Sequence, residues 1–304
     1  MRTTLQSSFE YLMAYGWALL IITVILVALY ELGALSPISF VPVTPAGACH
    51  VVRPEGPGST SFISLAGTCN AGIPQSVAEL PCAWPNVALC NPNNIAINVN
   101  SSVNPITLSV WFWEPPDYMG AKYGGVLVAL DGNDPTIYVG SSSGGNTAQL
   151  CGSLMASSVT YCSPANVLPA EWNFAVATMS SSAIDVYLNG RLVASGPGAA
   201  ISNDISGNIG LQACNCFFSG GQPVNDYDSG YLYNVQIYNT TLSAGDVNAL
   251  YSEGIGGSPI DLTGLVAWWP LNGNAKDYSG NNYDGTPYNI TWQQNWKSTY
   301  VGQP

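Results

Sequence analysis

The stretch "DYSGNNYDG" crowds four oxygen-bearing side chains into one turn: Asp277, Ser279, Asn281 and Asp284, with Gly285 after them. Hard oxygen ligands at that density suit a structural Ca2+ ion. It is not an EF-hand loop, because the twelfth position counted from Asp277 is Tyr288. The competing reading is a turn whose Asx side chains bind their own backbone. "LDGNDP" (Asp131, Asp134) and "NDYDSG" (Asp226, Asp228) carry the same ambiguity. No other cofactor is implied.

Catalytic chemistry has little to work with. The one histidine, His50, sits in a Cys- and Pro-rich stretch, which leaves Ser–His–Asp and Cys–His arrangements without support. Glycoside hydrolysis needs two carboxylates across a cleft. Glu114 and Asp117 in "WFWEPPD" come nearest, but Pro115-Pro116 sets them in an extended loop. No catalytic residue is assigned, and the chain is expected not to be an enzyme. Ligand contact is a better use of its loops: Tyr118 and Tyr123 in "DYMGAKYGG" and Tyr227 in "NDYDSG" could stack on sugar rings. Trp111, Trp113, Trp268 and Trp269 lie inside strand patterns and are expected to pack rather than serve as a platform.

Charge narrows the partners. Eighteen acidic residues against six Lys and Arg give a net charge of −12, so nothing resembles a nucleic-acid footprint. Only 8% of residues are charged, against about a quarter in ordinary soluble proteins; Ser, Thr, Asn and Gly solvate the surface. All eight cysteines, Cys49, Cys69, Cys82, Cys90, Cys151, Cys162, Cys214 and Cys216, follow the N-terminal apolar run. Their even number predicts disulfides formed in an oxidising space. Cys151 and Cys162 are the best local pair, joined by a Ser-rich turn between two strands. Cys214 and Cys216 stand too close in sequence for an easy mutual bridge. Sequons at Asn100, Asn239 and Asn289 are glycosylation candidates.

The elements that must position these residues are mostly strands. "NIAINVN", "ITLSVWFW", "GGVLVAL", "PTIYVG", "NFAVATM", "AIDVYLNG", "RLVASG", "GYLYNVQIYN" and "GLVAWWPL" are short β-branched and aromatic runs punctuated by turn residues. They predict a mainly β fold, an antiparallel jelly-roll sandwich. Asn189-Gly190 marks a hairpin. "TLSAGDVNALYSEG" is the one helical item of this region, with Ser243 as cap, Asp246 in the first turn and Gly254 at the end.

At the other end, Leu12 to Tyr30 is an apolar run without a charge, close to the roughly 20 residues a membrane-spanning helix needs. Arg2 is its only positive flank and predicts an N-terminus inside and a chain outside. A single-pass anchor is one reading. "QSSFEYLMAYGWALLIITVILVALYELG" also resembles the N-terminus of archaeal type IV pilin-like proteins with a class III signal peptide. The resemblance implies cleavage by a prepilin-type leader peptidase between Leu5 and Gln6, although Leu5 stands where the family prefers a small residue. It also makes Glu10 the fifth mature residue, an assembly residue that pairs with an incoming subunit's amino terminus. Ala14, Gly16 and Ala18 provide small surfaces for helix packing.

The later chain resembles the laminin-G-like, concanavalin A-like jelly roll, through "ITLSVWFW", "EWNFAVATMSSSAIDVYLNGRLVASG" and "GYLYNVQIYNTTLSAGDVNALYSEG". "GLVAWWPLNGNAKDYSGNNYDGT" looks like that family's opening strand and turn, yet stands last, which implies a circular permutation. The expected organisation is a leader over 1–5, an assembly helix over 6–35 and a Cys/Pro/Gly-rich collar over 36–85. The jelly roll then covers 86–292, its opening strand supplied by 264–286, and a tail follows over 293–304. The expected protein is a filament subunit at the cell surface, inserted in the membrane before assembly. Its partners are other copies and, through its head, surface glycans or proteins. The alternative is an anchored glycan-binding protein that never polymerises.

Overall fold

The computed structural model describes residues 15–25, 27, 49–52, 63–67, 74–81, 94–99, 104–115, 125–130, 135–140, 148–201, 206–210, 217–219, 222–224 and 229–296. Two units are distinguished, Met1–Val43 and Thr44–Pro304. In the first, residues 15–25 are helical and form α1. Every large apolar residue of α1 is more than half exposed, Tyr15, Trp17 and four consecutive positions from Leu19 to Ile22 included. The Thr23 hydroxyl turns back to donate to the Leu19 and Leu20 carbonyls at 2.9 Å, so this helix offers no polar side to water. Among the described residues no helix is long and apolar enough to cross a membrane; the expected span over Leu12–Tyr30 extends beyond them on both sides, and Leu5, Gln6, Glu10 and Ala14 lie outside them.

The second unit is a two-layer antiparallel sandwich. Its strands are β1 (Cys49–Val52), β2 (Ile63–Gly67), β3 (Val77–Pro81), β4 (Asn94–Asn98), β5 (Ile106–Trp113), β6 (Val126–Leu130), β7 (Thr136–Gly140), β8 (Gln149–Leu154), β9 (Val159–Asn166) and β10 (Trp172–Met179). They continue with β11 (Ala183–Leu188), β12 (Arg191–Pro197), β13 (Ser206–Ile209), β14 (Phe217–Ser219), β15 (Gln222–Val224) and β16 (Ser229–Tyr238). Helix α2 (Ala244–Glu253) precedes β17 (Leu265–Trp269), β18 (Thr286–Tyr288) and β19 (Thr291–Gln293). One sheet runs β12-β11-β10-β5-β16-β3-β19 with β17 also on β16, and the other runs β18-β4-β13-β6-β7-β8-β9. β1–β2 and β14–β15 form separate pairs.

Alternation places Leu108, Val110 and Phe112 of β5 in one core with Leu127, Ile137 and Leu150 of the facing sheet. The layers approach closely at Gly152, where an added Cβ would lie 3.0 Å from Val186 Cγ2 and 3.3 Å from Ala177 Cβ. The hairpin at Asn189-Gly190 forms as expected, with φ of 51° and 77° at the two turn residues.

The C-terminal strand is paired within its own chain. β16 gives its first half, Ser229–Leu232, to β3 and its second half, Val235–Tyr238, to β17 on the same edge. At the junction Asn234 takes φ 52°, and its side chain bonds fully. Its Nδ2 donates to the Ile255 and Gly257 carbonyls, and its Oδ1 accepts from Gln236 Nε2 and Trp268 Nε1. β18 then crosses to β4 in the other sheet and β19 returns to β3. Two segments lie further into the sandwich than their composition suggests. Val77–Pro81, expected in the collar, is a sheet strand. Trp296, expected in the tail, is fully buried and donates from Nε1 to the Pro74 carbonyl.

Candidate functional site

One end of the larger sheet carries a cross-strand row of unusual content. Trp172 of β10 faces Trp113 of β5, Trp113 faces Tyr231 of β16, Tyr231 faces Glu79 of β3, and Glu79 faces Thr291 of β19. Directly opposed residues share a face, so the row passes from indoles through a phenol to a carboxylate and a hydroxyl. The Trp113 and Tyr231 rings stack at 5.0 Å and 26°. Trp172 lies 6.3 Å from Tyr231 and meets Trp296 edge-on at 5.7 Å. Trp172 is 7% exposed, while Trp113 and Tyr231 are half-buried. Glu79 Oε2 accepts from the Thr291 hydroxyl at 2.6 Å. Burial first, then the Glu79 charge, raise the Tyr231 pKa above its ordinary value, against a hydrogen bond with Gln293 that lowers it.

Two residues further along β5 the same face closes. Trp111 stacks on Tyr251 of α2 at 5.8 Å and packs against Phe174 at 5.0 Å. The helix over it is capped as expected: Ser243 Oγ accepts from Asp246 N, and Asp246 Oδ2 accepts from Ser243 N. Gly190 keeps room for this helix, since a Cβ there would come within 3.2 Å of three Tyr251 atoms. Trp111, Trp268 and Trp269 are thus packing residues, each buried, whereas Trp113 reaches the open end.

Both carboxylate oxygens of Asp277 and one of Asp284 in the 277–284 turn bond within the protein. Asp277 Oδ1 accepts from Trp268 N and Ser279 N, both at 2.9 Å. Its Oδ2 accepts from Ser279 Oγ at 2.8 Å and Tyr283 N at 2.9 Å. Asp284 Oδ1 accepts from Asp277 N, and Asn281 Nδ2 donates to the Val266 carbonyl. This is the hydrogen bonding of the Asx-turn alternative, and it pins the loop onto β17. Among the described residues no three His, Cys, Asp or Glu side chains group to hold a metal ion.

Cys151 and Cys162 are joined by a disulfide between β8 and β9, on the outer face of the smaller sheet with Val126 and Tyr138. The side chain of Cys49 and all of Cys69, Cys82, Cys90, Cys214 and Cys216 lie outside the described residues, as do Tyr118, Tyr123, Tyr227, Asp117, Asn100, Asp131, Asp134, Asp226 and Asp228. Trp113 and Ser229, which flank the segments holding Tyr118, Tyr123 and Tyr227 in sequence, lie at the aromatic end of the sheet. Asn239 and Asn289 are exposed. Glu114 is only 1% exposed, because it follows Trp113 at the strand end rather than standing in an open loop.

The row had one legible signal: Trp111 and Trp113 alternate on the outward face of β5, where a solvent-facing strand would carry polar residues. Glu79 and Tyr231 carried none, because only the pairing of distant strands brings them together.

A family model described as the concanavalin A-like lectin/glucanases superfamily, of laminin G type, matches residues 91–248, just over half of the chain. The chain belongs to this superfamily. No curated protein matches. Among solved structures, a candidate carbohydrate-binding protein from Bacteroides ovatus aligns at 12% identity and TM-score 0.49, covering 76% of this chain and 66% of its own. The chain thus spans just under two thirds of that protein's length. The native heptameric SAP-like pentraxin of Limulus polyphemus aligns at 17% and 0.44, covering 63% and 88%. The CBM40 of the Ruminococcus gnavus IT-sialidase, bound to α2,3-sialyllactose, aligns at 16% and 0.33, covering 49% and 84%.

Proposed function

We propose that this superfamily member is a subunit of an archaeal type IV pilus-like surface filament, with a lectin-type head that contacts glycans and performs no catalysis. The observation that carries the assembly half is α1, whose large apolar side chains are more than half exposed around its whole circumference. An apolar stripe would need one neighbour; an all-round apolar surface needs lipid or several helices. Open space around Gly16 gives a neighbouring helix room for close approach. The pilin-like pattern around Gln6 and Glu10 selects a filament core of identical helices after a first residence in the membrane. The lectin half rests on membership of the superfamily, and the burial of Glu114 favours binding over hydrolysis.

Imaging of the native surface, combined with N-terminal sequencing of the mature chain, tests this reading. The expected result is filaments containing this protein, with Gln6 as first residue, and loss of filaments in Glu10→Ala while the membrane-inserted pool persists. A chain that starts upstream of Gln6 and extracts only as a monomer would leave an anchored lectin instead.

A further inference from the structure

We propose that the Trp113–Tyr231 end of the larger sheet is a saccharide subsite selective for neutral glycans. This deepens the glycan-binding reading of the head and rests on it. The two indoles of the row are incomplete: Trp113 Nε1 and Trp172 Nε1 are buried and have no hydrogen-bond partner among the described residues. Buried donors are nearly always paired, and an exception calls for an absent acceptor such as a water or a ligand. Here two exceptions stand side by side, next to half-buried Tyr231, with Glu79 on the strand beyond Tyr231.

The row suits a pyranose ring. Such a ring has an apolar face that packs on aromatic carbons and an equator of hydroxyls that both donate and accept. Trp113 and Tyr231 supply the aromatic surface, with the indole N–H groups as donors. Glu79 adds an acceptor, and the exposed Thr291 hydroxyl, which donates to it, lies at the rim. Both indole nitrogens are covered, so a sugar oxygen reaches them only when a neighbouring side chain shifts.

Charge decides the glycan class. The row carries a carboxylate and no cation, in a chain of net charge −12. Sialylated, sulfated or uronate-rich glycans would meet like charge at Glu79, which disfavours the wrong partner. Neutral hexoses meet no such penalty.

The test is titration of the full chain in detergent with cellohexaose, maltohexaose, mannohexaose and α2,3-sialyllactose, followed by tryptophan fluorescence and calorimetry. At least one neutral hexasaccharide is expected to bind saturably, with sialyllactose weaker by at least about tenfold. Trp113→Phe is expected to weaken binding about tenfold, and the milder Glu79→Gln and Thr291→Ala by a few-fold each. Thr291 is exposed, so its variant folds regardless of the indoles. Unchanged neutral-glycan binding in all three variants would place the subsite elsewhere and leave the lectin reading intact. Preference for sialyllactose would overturn the charge argument. A chain that binds none of the four would count against the subsite and the glycan-binding head together.

Discussion

Helix α1 and strand β17 are written in the same apolar alphabet and meet opposite fates. "WALLIITVI" leaves its large side chains more than half exposed, while "LVAWW" buries Val266, Trp268 and Trp269 almost completely. The difference is not hydrophobicity but burial: the sandwich covers the apolar side chains of β17, and those of α1 are exposed. β17 finds the second half of β16 and binds there by backbone ladder and the Trp268 indole hydrogen bond to Asn234, while the Trp269 indole donates to the Tyr283 carbonyl. For α1, every large side chain is left open to an outside surface. In the proposed filament reading the head is completed by β17 of its own chain, and the apolar helix would be completed by neighbouring copies.

Removing residues 264–304 tests the completed half and should have the largest effect. It takes away β17, β18 and β19 together with Trp268, Trp269, Leu271 and Trp296, all buried. Each such side chain contributes roughly 1.5–3 kcal/mol when fully buried, and the sum matches the ~5–15 kcal/mol stability of a typical domain. The freed edge of β16 would also expose unpaired backbone groups. The truncated head should be insoluble or lack a cooperative melt, and co-expression of the missing segment should restore a soluble complex. A truncated head with a sharp melting transition would show that β17 is an accessory strand.

Asp277→Ala should loosen the same strand more gently. Its carboxylate accepts four hydrogen bonds, one of them from the β17 backbone at Trp268. Hydrogen bonds to a charged group contribute about 1.5–3 kcal/mol each when buried. Asp277 is partly exposed, so a total loss of about 2–4 kcal/mol in denaturant unfolding is the expectation. Because the loop's oxygens already bind protein donors, the midpoint of the native chain should be the same in excess calcium and in excess chelator. A higher midpoint with calcium would favour the metal-binding reading of the loop over the Asx-turn reading.

Alkaline pH acts on the slot beside β17. Tyr233 and Tyr238 of β16 have pKa values raised above the ordinary phenol value, first by burial, then by Tyr278 for the former and by Asp261 for the latter. The native chain keeps these protons after the unfolded chain has begun to lose them near pH 10. Their contribution is therefore full below about pH 10 and declines as pH rises towards the native pKa values. The slope is up to about 1.4 kcal/mol per pH unit for each tyrosine. Unfolding midpoints should be flat from pH 8 to 9.5 and fall above it, and Tyr233→Phe should make the fall shallower.

Local features were legible in the residues themselves. The Asn189-Gly190 turn, the Ser243–Asp246 capping box and the Cys151–Cys162 bridge each involve neighbours in sequence. The strand character of β17 was legible as well, because Val266, Trp268 and Trp269 are strongly β-forming. What stayed hidden depends on distance. β3 is five residues long in a Cys- and Pro-rich context, and its place follows from β16 and β19, more than 140 residues later. Asn234 reads as an ordinary polar residue of a strand until Trp268 and the Ile255–Gly257 turn close on it. The aromatic row is of the same kind: five strands contribute one residue each.

The smallest expected effect compares the two helices directly. α2 is held by the fold at both ends and on one face: Ser243 and Asp246 cap it reciprocally, Gly254 N donates to the Tyr251 carbonyl, and Tyr251 lies on Trp111. Loss of an N-cap side chain costs about 1 kcal/mol. Ser243→Ala should therefore lower stability by about that amount, because Asp246 N loses its acceptor while the Tyr251 contact remains. Ser243→Asp should recover most of the loss, since its carboxylate can accept from the same N–H and faces the positive end of the helix dipole. If α2 is a packed element rather than a nucleated one, neither variant will change glycan affinity or near-ultraviolet circular dichroism from the Trp111 cluster. A loss of that aromatic signal in Ser243→Ala would mean that the cap, and not burial of Tyr251, keeps α2 on the sheet.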